Sequence, residues 1–95
     1  MVTSAATAVR KITPFQWKLA VGTHCSGMVL NNALQKVRLD VDDDGNLLPH
    51  VITNLLTCFR VAHRIARERA EPRVQRACVA MLEFLHHDGW KLLEV

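Results

Sequence analysis

Tyrosine is absent from this 95-residue chain, and aromatic residues of all kinds make up only 5% of it. That is sparse for the stacking platforms on which single-stranded nucleic acids are read. No apolar run approaches the roughly 18 to 20 residues that a membrane-spanning helix needs, which argues against an integral membrane protein. The three cysteines, Cys25, Cys58 and Cys78, are odd in number, widely spaced and without a Cys-x-x-Cys pair. A disulfide framework and a zinc ribbon both lose their usual signature. Each cysteine lies among apolar neighbours, so the expectation is reduced, buried thiols in an intracellular protein. Adjacent His86 and His87 would point about 100° apart on a helix, and neither has an acidic or histidine partner four residues later to complete a ligand pair. Glycine-rich phosphate loops and nucleophile–base–orienter sets are also missing, so the expectation is a protein that is no enzyme and carries no cofactor.

What the chain does have is a normal globular balance, 49% apolar and 22% charged. Its length suits one domain with one modest core. The net charge of +3 is segmented. Residues 1–39 hold five basic residues and no acid, four aspartates crowd into residues 40–44, and six arginines fall between Arg60 and Arg76 against Glu68 and Glu71. Blocks of this kind imply local electrostatic partners, inside the chain or on another molecule. The opening "MVTSAATAVRK" is small, hydroxylated and acid-free. Residues 1–12 therefore read as a flexible arm ahead of a single helical domain over 13–95, with a cytoplasmic location expected and a mitochondrial address as the alternative.

Helical periodicity dominates the remainder. Thr13 followed by Pro14 is a helix-start pair, since the hydroxyl can cap a free N–H and proline suits the first helical position. Phe15, Leu19, Val29, Leu30, Ala33, Leu34 and Val37 then predict a buried stripe to about Leu39, interrupted at Gly22 and Gly27. A second helix spans Leu47 to Arg69, starting between Leu47 and Pro49 with Asn46 or Leu48 as its cap. Leu48, Val51, Leu55, Cys58, Ala62, Ile65 and Ala66 predict its inner face, and Arg60, His63, Arg64 and Arg67 its outer one. Pro72 opens a third long helix to about His87, with Val74, Ala77, Cys78, Met81, Leu82 and Leu85 as the core stripe. Gly89 is placed to cap it, Trp90 to fold back on its last turn, and the final residues to form a short closing helix. The fold class expected is all-α, a bundle of three to four main helices plus that C-terminal one.

Between the first and second of these helical regions stands "LDVDDDGNLLPHV". Asp40, Asp42, Asp44 and Asn46 fall at positions 1, 3, 5 and 7 of a loop with Gly45 at position 6, which resembles the EF-hand calcium loop over eight positions. The resemblance implies Ca²⁺ held by Asp40, Asp42, Asp44 and Asn46. Position 12, where that family has a bidentate glutamate, is Val51, and Pro49 occupies position 10. The alternative is an acidic connector whose Asp43 and Asp44 favour the positive end of the next helix.

Function is expected to be association. Trp17, Val21, Met28, Leu56, Val61, Val79 and Phe84 lie off the faces named above, more apolar side chains than so short a chain has interior to hide. Trp17, Leu56, Val61, Phe84 and Trp90, with the arginine stripe Arg60, Arg64 and Arg67, are the expected contact residues of a subunit or adaptor in a larger assembly. Calcium binding through the acidic loop, and nucleic acid or acidic lipid on the arginines, are the alternatives.

Overall fold

The computed structural model describes residues 10–28 and 31–86. Four helices occur among them: α1 (Pro14–His24), α2 (Asn31–Gln35), α3 (Pro49–Glu68) and α4 (Pro72–Leu85), so the protein is all-α. The expected Gly89 cap, Trp90 and closing helix, and residues 1–9 of the expected arm, lie outside the described residues.

The helix starts follow local chemistry. Thr13 Oγ1 accepts from the Gln16 N–H at 3.1 Å while Gln16 Oε1 accepts from the Thr13 N–H at 2.9 Å, a reciprocal capping box ahead of Pro14. At the other end of α1, Gly27 takes φ +78°, a left-handed conformation that suits glycine, and the chain reverses there. Gly22 stays inside the helix. Asn31 secures the reversal, its Nδ2 donating to the carbonyls of Val21 (3.3 Å) and Cys25 (3.1 Å).

α3 begins at Pro49 behind Leu48, which has no side chain able to cap. It ends in a Schellman closure: the Glu71 N–H reaches the Ala66 carbonyl at 2.9 Å and the Ala70 N–H the Arg67 carbonyl at 3.2 Å. Ala70 sits at φ +54° to make this possible. α4 then starts on Pro72.

The core gathers Ile12, Trp17, Val21, Cys25, Leu47, Ile52, Phe59, Cys78, Met81, Leu82 and Leu85. α3 packs along α4, and α1 packs on α2 and α4. The described chain measures 39 × 31 × 17 Å, and its short dimension holds no more than two layers of helices about 8–10 Å apart. Ile12 is fully buried and its carbonyl accepts from the Leu47 N–H at 2.7 Å, so the chain has joined the core before α1 starts.

Two expected faces are corrected. In α1 the stripe of Phe15 and Leu19 points outward, 73% and 60% exposed, and Trp17, Ala20 and Val21 are buried in its place. Apolar residues occupy both sides of this helix, so periodicity cannot choose between them, and the larger area of Trp17 decides. In α3 the expected Val51, Leu55 and Ala62 are partly buried against the core and Ala66 fully, but Ile52, Phe59 and His63 are buried beside them while Cys58 and Ile65 are exposed. Phe59 and Ile52 set that rotation, and it carries His63 inward. The α4 stripe lies where its period put it, with Ala77, Cys78, Met81, Leu82 and Leu85 all buried.

Candidate functional site

The expected contact residues do not form one patch. Trp17 is a core residue and offers nothing to a partner: it is fully buried, its indole N–H donates to the Leu34 carbonyl at 3.1 Å, and its ring lies 6.3 Å from that of Phe59. Leu56 and Phe84 are half-buried against the core. The Arg10 guanidinium stands 5.1 Å from the centre of the Phe84 ring, a cation–π pair that occupies one face of it. Val61 is 40% exposed, with Ile65 one turn later at 41%. Arg60, Arg64 and Arg67 are exposed, and Arg60 Nη2 lies 3.4 Å from His86 Nε2. Trp90 lies outside the described residues.

The acidic loop is a tight hairpin turn. Val41 and Leu47 face each other in an antiparallel bridge, and the Asp42 N–H donates to the Asn46 carbonyl at 2.8 Å. Asp42 Oδ1 accepts from the backbone N–H of Asp44 (2.9 Å) and of Asn46 (3.0 Å), so this carboxylate holds the turn together. Gly45 supplies the positive φ of +83° that the turn requires. Asp40, Asp42, Asp43 and Asp44 are exposed, and no group of three or more His, Cys, Asp or Glu that could hold a metal ion occurs among the described residues. The first turn of α3 contains no acid either, so the connector's aspartates stand ahead of that helix rather than on it.

A larger concavity than this turn offers lies elsewhere among the described residues. A groove of about 500 Å³ runs beside α4, closed on one side by His63 of α3. Pro72, Val79 and Ala80 give it an apolar floor, and Arg76 and Glu83 stand on it as charged residues. Helical spacing builds it: residues 72, 76, 79, 80 and 83 recur at three and four positions, the α4 face turned away from the core stripe. Arg60 and Arg67 lie one turn before and after His63 on the same side of α3. A smaller recess beyond Arg76 and Ala80, lined also by His24 and Arg73, extends the basic surface toward the end of α1. No carboxylate pairs with Arg60, Arg64, Arg67, Arg73 or Arg76 among the described residues.

The sequence marked Val79 as surplus to the helix faces but did not join it to Arg76 and Glu83. The available signal was their common three-and-four spacing. His63 was read as an outer residue and is 7% exposed, forming the wall of the groove instead. Of the cysteines, Cys25 and Cys78 are buried as expected and Cys58 is exposed. Burial pushes both buried thiols above the ordinary 9.0, Cys78 to about 11 with its neighbour Cys25 adding to the rise.

No helix among the described residues is long and apolar enough to cross a membrane. No known family, curated protein or solved structure matches the chain.

Proposed function

We propose that this protein is a helical protein–protein interaction module, a subunit or adaptor in a larger assembly, and that the α4 groove is its docking site. The observation that carries the reading is the groove itself: about 500 Å³, with an apolar floor and Arg76 on its lining. Its composition, apolar on the floor with Arg76 on the lining and Arg73 in the adjoining recess, is that of an association surface. The wider surface agrees. Phe15 and Leu19, one turn apart on α1, and Val61 and Ile65, one turn apart on α3, add paired apolar side chains that the chain leaves uncovered.

The test is photo-crosslinking in cells that express the full chain, with benzoylphenylalanine at Val79 in the groove or at Phe15 on α1. A discrete protein adduct from Val79 is expected. Adducts from Phe15 alone would move the site to α1. Absence of any protein adduct above background from both positions would sink the docking reading.

A further inference from the structure

We infer that the occupant of the α4 groove is an acidic amphipathic helix of a partner protein, a conclusion that rests on the docking reading above and adds the chemistry of what docks. Two features of the groove select that partner. The lining runs from Pro72 to Glu83, about 16 Å at ~1.5 Å per residue, which matches three turns of a helix laid alongside. Such a helix presents apolar anchors at i, i+3, i+4 and i+7, and Pro72, Val79 and Ala80 form the apolar track that would receive them.

Charge supplies the rest. Arg76 lines the groove, Arg73 lies in the recess beyond it, and Arg60 and Arg67 flank His63 on α3. All four are exposed, and none of them meets a carboxylate within the described chain. Against these four stand three acids, Glu83, half-buried at the far end of the lining, and the exposed Glu68 and Glu71 where α3 gives way to α4. A basic partner would meet these arginines with like charge, whereas glutamates flanking the apolar anchors would meet them with opposite charge. A nucleic-acid strand would satisfy the arginines but leave the apolar floor without an occupant, and no Phe or Trp among the described residues lines the groove to stack a base.

The test uses the full chain and a fluorescein-labelled synthetic helix carrying leucine at i, i+3, i+4 and i+7 with glutamate between. Its controls are the same peptide with lysine for glutamate, a fluorescein-labelled oligothymidylate, and phosphatidylserine vesicles. Fluorescence anisotropy should show micromolar binding of the acidic helix, at least tenfold tighter than the lysine peptide and weakened by added salt. Arg76→Glu and Val79→Asp should each weaken it on the order of tenfold, while Phe15→Ser leaves it unchanged. Arg76 is exposed, so Arg76→Glu keeps the test intact if the Val79 variant fails to fold.

Equal binding of the two peptides, indifference to Arg76→Glu, or tighter binding of oligothymidylate or of vesicles would each overturn the inference. Protein adducts from Val79 in cells without binding of the acidic helix would overturn it while leaving the docking reading standing.

Discussion

A single side chain shows how the interior was chosen. Trp17 brings the largest apolar area of α1 and one polar atom, and burial is affordable only because Leu34 offers its carbonyl to the indole N–H. Replacing it with phenylalanine leaves that carbonyl unpaired and opens space beside Phe59, at a cost of about 2 kcal/mol. Urea unfolding should report that loss as a lower midpoint. Cys78 offers a pH-dependent test of the same interior. Its thiol titrates near 9.0 unfolded and about 11 folded, so the protonated form is favoured by the fold. The stability this contributes is complete below pH 9.0 and is lost as pH rises through about 11. A thermal series across that window should show a fall in Tm that is shallower in Cys78→Ala. In the native protein at about pH 8, iodoacetamide should label Cys58 well before Cys25 or Cys78, because the last two are buried.

At the scale of elements, what local chemistry determines was readable and what packing determines was not. Thr13 with Pro14 named the start of α1, and Pro49 and Pro72 the starts of α3 and α4, because caps and proline act through neighbouring backbone. The inner face of α4 was equally plain, since Val74, Ala77, Cys78, Met81, Leu82 and Leu85 recur on one side at helical spacing. The faces of α1 and α3 were not, because Phe15 and Leu19, like Cys58 and Ile65, continue helical stripes as regular as those that became buried. The turn after α3 was marked by Pro72 but its geometry was not, since its left-handed position holds Ala70 where glycine is usual. Ala70→Gly should therefore relieve strain and stabilise the protein by about 1 kcal/mol, a rise in Tm of roughly 4–8 °C in a domain of this size. The acidic hairpin makes the converse case. Asp42 holds two backbone N–H groups, so Asp42→Ala should cost about 1–2 kcal/mol. If the loop acts only as a turn, calorimetry with and without about 1 mM Ca²⁺ should give the same Tm for each protein.

For the whole molecule, thinness explains the surface. A chain 17 Å across in its short direction has two helical layers, so each helix has one covered side and one facing outward. An apolar excess distributed around α1 and α3 must then emerge at Phe15, Leu19, Val61 and Ile65. The groove was illegible in sequence for the same reason: its wall comes from His63 and its floor from α4, and only the pairing of the two helices brings them together. This separates side chains that hold the fold from those that leave it free to associate. Phe15→Ser with Leu19→Ser removes apolar groups that water already reaches, so the pair should change unfolding free energy by no more than ~1 kcal/mol. If these side chains mediate self-contact at high concentration, the double variant should sediment as a smaller species than the parent at equal loading. A loss of about 2 kcal/mol or more, as large as that expected for Trp17→Phe, would show instead that the outward face of α1 is covered within the chain.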